Sequence, residues 1–147
     1  MKDLGEAAYV LGIQIIRSWK NRSLALSQTT YIDKVLERFS MTNTKGATMP
    51  SRFGICLSKE QCPTDPQEIE DMRRVPYASV VGSLMYAMLC TRPDICYVVG
   101  LVSRYQTNPG QEHWNAFKHI LKYLKKPSIW SNQKAMFFQG RKRKFAN

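Results

Sequence analysis

The side chains that could do chemistry in this chain are few and dispersed. Asp3, Asp33, Asp65, Asp71 and Asp94 are scattered, and no two aspartates are adjacent. Two-metal phosphoryl transfer needs clustered carboxylates that hold two divalent ions about 4 Å apart. Glu70-Asp71 is the one adjacent acidic pair. It lies in an irregular stretch with no apolar strand to fix it, so it reads as solvated surface. No Gly-rich loop precedes a Lys-Ser or Lys-Thr pair, which excludes a P-loop. His113 and His119 are six positions apart, on different faces of a helix, a poor arrangement for sharing a metal. His113, beside Trp114 at a helix start, reads as structural or phosphate-contacting. Cys56 and Cys62, like Cys90 and Cys96, have five residues between them, a spacing outside that of common zinc knuckles. Cys90 and Cys96 sit in apolar helical patterns, where a thiol acts as a small hydrophobe. All four are expected to be reduced. No catalytic residue, metal site or cofactor is implied, and the residues by themselves do not support an enzyme.

What remains is positive charge. The formal net charge is +11 over 147 residues. Residues 1–50 contribute +3, residues 51–109 contribute zero, and residues 110–147 contribute +8, with Glu112 their only acid. Such a local excess favours polyanions, nucleic acid above all. Lys118, Lys122 and Lys125 recur at i, i+4 and i+7, so they share one side of a helix, and Lys126 follows. These four are the candidate nucleic-acid-binding residues. Arg141-Lys142-Arg143-Lys144 is a second basic run and resembles a short nuclear-localisation patch.

The elements that must position this lysine face follow from periodicity. Tyr77, Val80, Val81, Leu84, Met85, Met88 and Leu89 trace one side of a helix after Pro76, which suits a first helical turn. The helix should stop before Pro93. A second begins there, with Asp94 complementing its dipole and Ile95, Val98, Val99, Val102 and Tyr105 as its stripe. Asn108-Pro109-Gly110 closes it. The third carries Trp114, Phe117, Ile120, Leu121 and Leu124 opposite the lysines. Short connections predict a three-helix bundle.

Earlier in the chain, Tyr9–Ile16 reads as a strand with a bulge or close approach at Gly12. Leu24–Ser27 returns to complete a β-hairpin. A short helix, Tyr31–Phe39, buries Ile32, Val35, Leu36 and Phe39, with Thr30 as N-cap. Residues 41–75 lose all period. They form either a wrapping connection with a helical turn at Gln67–Arg73 or a locally disordered segment. The tail after Lys126 has no period and is expected to be poorly ordered. The fold class is therefore α+β and mostly helical: hairpin, short helix, long irregular connection, three-helix bundle and basic tail. Hydrophobic content of 44% argues for a folded chain. No apolar run reaches the roughly 20 residues of a membrane helix. The segment MKDLGEAAYVLG is too acidic and interrupted for a secretory signal, which points to the cell interior, nucleus or cytoplasm.

Several stretches together resemble the later part of the reverse transcriptase region of copia-type long-terminal-repeat retrotransposon polyproteins, especially those of plants. They are MKDLGEAAYVLGIQI (1–15), LSQTTYIDKVLERFSM (26–41), LSKEQCP (57–63), the run from Tyr77 to Trp114 containing VGSLMYA, TRPDI and SRY, and AFKHILKYLK (116–125). The resemblance covers residues 1–126; residues 127–147 depart from it as a divergent tail. It implies that the catalytic Tyr-Val-Asp-Asp hairpin lies upstream of the segment matching MKDLGEA, that Leu11-Gly12-Ile13 follows the palm near the primer strand, and that the later helices belong to the thumb and connection that hold template and primer, which makes an RNA–DNA or DNA duplex the expected partner of the four lysines. It also implies a ribonuclease H domain downstream. On this reading the chain is an inactive reverse transcriptase fragment with non-specific affinity for nucleic acid. A basic binding module retained by a host, or a protein-interaction remnant, would be non-enzymatic alternatives.

Overall fold

The computed structural model describes residues 5–20, 23–125 and 138–139. Strands β1 (Tyr9–Val10), β2 (Ile13–Ser18), β3 (Ser23–Ser27) and β4 (Phe138–Gln139) form one antiparallel sheet in that order. Gly12 is not a bulge within one strand. Leu11 (φ 51°) and Gly12 (φ 77°) are both left-handed, the requirement of a two-residue hairpin turn, and Val10 pairs directly with Ile13. The predicted single strand therefore folds back on itself. The expected hairpin of β2 and β3 is present, with Ile15 opposite Leu26. Of the tail, Phe138–Gln139 pairs with β3; the expectation for the rest falls outside the described residues.

Helix α1 spans Thr29–Arg38 and α2 spans Pro66–Arg73. The N-cap of α1 is Gln28, not Thr30, and no side chain caps it. The Thr29 amide instead donates to Ser27 Oγ at 3.4 Å, so the helix begins a residue or two early. Residues 41–75 take the wrapping form. They contain a 3-10 turn at Lys59–Gln61 and α2 where only one helical turn is predicted.

The bundle follows as α3 (Tyr77–Cys90), a 3-10 turn (Pro93–Ile95), α4 (Cys96–Ser103) and α5 (Gln111–Lys125). Its core joins Val80, Val81 and Leu84 to Ile95, Val99 and Val102 and to Phe117, Ile120 and Leu121, with Val35 and Leu36 of α1. The helical periods predict this face well except at Leu89, which is 79% exposed. Ala87 is buried in its neighbourhood instead. Cys96 is exposed, so it does not act as a core hydrophobe; all four thiols are free. Among the described residues no helix is long and apolar enough to cross a membrane.

A long loop must give its backbone groups partners if it is to lie against a core. Side chains from the bundle supply them. Tyr105 OH donates to Leu57 O at 2.9 Å, and Asn108 Nδ2 donates to Pro63 O at 3.2 Å. The sheet contributes nothing to the central core cluster. It is joined to α3 by Tyr86 OH, which donates to Leu11 O, and just beyond β3 Thr91 Oγ1 donates to Oε1 of Gln28, the N-cap of α1, at 2.6 Å.

Candidate nucleic-acid interface

The lysine face of α5 exists because the apolar residues of that helix take the opposite side. Phe117, Ile120 and Leu121 are fully buried. Lys118, Lys122 and Lys125 are all half-buried, and the three are not equivalent. Lys118 Nζ stands 5.7 Å from the centroid of the Trp114 ring, a cation–π contact that orients the ammonium while leaving its outer side accessible. Lys122 forms no ion pair among the described residues, and its carbonyl accepts from the Ala47 amide at 3.0 Å. Lys125 is turned inward to the connection. Its Nζ donates to the carbonyls of Thr42 and, at 2.6 Å, Thr44. Lys126 lies outside the described residues, as does the run Arg141–Lys144.

The structure adds two groups that the helical period did not reveal. The Ala47–Lys122 hydrogen bond lays the start of the long connection along α5. Its exposed Arg52 then comes close to His119. The His119 pKa is lowered, chiefly by burial and next by the charge of Arg52; the Met49 backbone opposes this, and Lys122 adds to the lowering. His119 is therefore neutral at physiological pH, within electrostatic reach of Arg52 and Lys122. No Asp or Glu occurs in residues 38–59 or 113–125. Two segments distant in sequence are thus brought together, and neither carries a negative side chain. The sequence signal was the missing acid in both stretches, but only tertiary contact joins them.

His113 takes no part in this surface. It is fully buried. Its Nδ1 accepts from the Gly110 amide at 2.9 Å, as the third-position Glu or Gln does in a capping box. The ring stacks on Tyr105 with centroids 4.0 Å apart. Burial lowers its pKa; the facing Ser58 main chain and Glu112 oppose that without overcoming it. Among the described residues Nε2 has no hydrogen-bond partner. Of the two readings open for His113, the structural one describes this geometry.

Asp94 does more than complement a dipole. Arg92 Nε donates to its Oδ1 at 2.9 Å and Nη2 to its Oδ2 at 2.7 Å. Tyr123 OH donates to Oδ2 at 2.7 Å, and the guanidinium lies 5.2 Å from the Tyr123 ring centroid. Burial alone would raise the Asp94 pKa; hydrogen bonds from Arg92 and Tyr123 with the Arg92 charge lower it on balance. The carboxylate and its two donors are thus engaged with one another, the arrangement of a structural ion pair. Among the described residues no three His, Cys, Asp or Glu side chains gather where a metal ion could sit.

The chain is 55% identical over 125 residues to the retrovirus-related Pol polyprotein from transposon TNT 1-94 of Nicotiana tabacum, a match that covers 85% of this chain and 9% of that protein. It is 39% identical over 126 residues to the retrovirus-related Pol polyprotein from transposon RE1 of Arabidopsis thaliana, covering 84% and 8%. It is 34% identical over 124 residues to the putative transposon Ty5-1 protein of Saccharomyces cerevisiae, covering 84% and 38%. The chain thus spans less than a tenth of the two plant polyproteins it matches. No protein-family model and no solved structure matches it.

Proposed function

We infer the role of this chain from the family to which it belongs, the retrovirus-related Pol polyproteins of copia-type transposons. The segment is the C-terminal part of the reverse transcriptase region, inactive as a polymerase by itself. Its contribution is to grip nucleic acid through phosphates, without reading sequence. One observation carries this reading: Lys118 and Lys122, partly exposed on α5, and the exposed Arg52 are brought together by two segments that carry no carboxylate. Cations so placed follow a phosphate backbone and release its counterions, a sequence-independent and salt-dependent attraction. Inactivity is supported by the dispersed aspartates, which leave two divalent ions without a shared carboxylate clamp.

Titration of a labelled RNA–DNA hybrid, followed by anisotropy at several salt concentrations, tests the grip. The paired substitution Lys118→Glu and Lys122→Glu should weaken binding and flatten the log–log salt slope by roughly 2, about one per phosphate contact. Binding that ignores both salt and these substitutions would sink the reading. Template-directed nucleotide incorporation by the purified chain with Mg²⁺ or Mn²⁺ would refute inactivity.

A second reading, a protein-interaction remnant, is favoured by the sheet. Tyr9, Val10, Leu11, Ile16 and Trp19 are all exposed apolar side chains on or beside it. A monodisperse, cooperatively unfolding monomer would count against that alternative.

A further inference from the structure

One side chain on the basic surface is unaccounted for by phosphate contacts. Phe53 is 98% exposed, although a phenyl ring gains from burial and lacks any polar atom to repay exposure. Its position is set by its neighbours. The Ile55 amide donates to Arg52 O at 3.3 Å, which closes a four-residue turn with Phe53 and Gly54 at its centre. Gly54 has φ 73°, the left-handed conformation that the third position of a type II turn demands. Phe53 is thereby held at the tip. The turn is seated at both ends, since Ala47 and Ile55 pack against the bundle core and the Ala47 amide is bonded to Lys122 O. An aromatic ring projects from a fixed turn next to Arg52, whose charge reaches His119 beside Lys122.

We propose that Phe53 stacks on an unpaired nucleotide base while Arg52, Lys118 and Lys122 hold the neighbouring phosphates, so that this surface takes single-stranded nucleic acid at the end of a duplex. The proposal rests on the phosphate-gripping reading above and adds a preference to it. Every base offers a π-face, so an exposed ring beside phosphate-binding cations recognises single strands without sequence preference. Paired bases inside a blunt duplex have no free face to offer, and the ring gains nothing there.

The 147-residue chain is titrated against two labelled probes, a blunt RNA–DNA hybrid and the same hybrid with a short single-stranded overhang. The wild type is expected to bind the overhang probe about fivefold to tenfold more tightly, within the range of one base–aromatic stack. Phe53→Ala should bring the overhang probe down to the blunt affinity, leaving the blunt affinity unchanged, and Phe53→Trp should restore the preference. Because the ring touches almost nothing in the fold, both variants should keep the wild-type circular dichroism. Equal affinity of the wild type for the two probes overturns the stacking proposal and leaves the phosphate grip standing. So does a preference that survives in Phe53→Ala. Failure of the wild type to bind either probe overturns both.

Discussion

Tyr123 donates its hydroxyl proton to Oδ2 of Asp94 across 2.7 Å, and this bond ties α5 to the junction between α3 and α4. The same carboxylate receives two hydrogen bonds from Arg92. The Arg92 and Asp94 side chains retain 12% and 18% exposure, so this is a nearly buried, fully engaged pair. Its value lies in geometry, since a buried pair seldom improves on apolar packing but is costly to break.

Removing one partner should therefore be expensive. Arg92→Ala leaves a carboxylate with a single donor and should destabilise the fold by about 3 kcal/mol. Tyr123→Phe removes one hydrogen bond to a charged acceptor and should cost about 1.5 kcal/mol. Urea unfolding midpoints measure both. Values within a few tenths of wild type would show that the bundle junction does not depend on the cluster.

The fold should lose stability in two stages as pH falls. His113 and His119 have lowered pKa values, with burial as the largest cause. The unfolded chain takes up protons near its ordinary histidine value of about 6.5 before the folded chain does. Their contribution is complete above that pH and fades as pH drops toward the folded values. Asp94 also titrates below its ordinary carboxylate value. Its contribution is complete above about pH 4 and is lost as pH falls through the folded value. His113→Asn keeps an acceptor for the Gly110 amide and should flatten the upper stage; Asp94→Asn should flatten the lower. Unchanged pH profiles of the unfolding midpoint would contradict these assignments.

Glycines divide sharply by environment. A Cβ on Gly110 would stand 1.9 Å from the Gln61 carbonyl oxygen, a clash with main chain that only movement of the loop relieves. Gly110→Ala should destabilise by about 2 kcal/mol or more. Gly82 in α3 and Gly100 in α4 have nothing within 4 Å of an added Cβ. Gly82→Ala and Gly100→Ala should each stabilise by about 0.5–1 kcal/mol through helix propensity. Thermal unfolding of the three variants checks the opposite signs.

The lysines should separate into two kinds. Lys125→Met deprives the Thr42 and Thr44 carbonyls of their donor and should lower stability by about 1 kcal/mol. Lys118→Met and Lys122→Met should leave the unfolding midpoint nearly unchanged and weaken duplex binding. A Lys125 variant of wild-type stability and strongly reduced binding would return that residue to the phosphate-binding set.

Periodicity alone determined the bundle. The apolar spacing of Tyr77 to Met88 and of Trp114 to Leu124 can be satisfied only by helices, and Pro93 and Asn108-Pro109-Gly110 could only interrupt them. Composition determined that α5 would carry positive charge, and the dispersed aspartates were visible without coordinates. Local pattern reached its limit where backbone conformation or distant contact decides. Gly12 looks the same in a bulge and in a turn until Leu11 also turns left-handed. Leu89 fits the helical stripe but faces water, since sharing a stripe does not ensure that a neighbouring element covers it. The meaning of each lysine was likewise set by the fold. Lys118, Lys122 and Lys125 are equivalent in sequence spacing, yet the connection returns to place its carbonyls at Lys125 and its Arg52 within electrostatic reach of His119. Spacing along one helix says which side chains share a face. It cannot say what a segment some 70 residues away brings to that face, since that approach is fixed by core packing and loop hydrogen bonds that form only when the whole chain is folded.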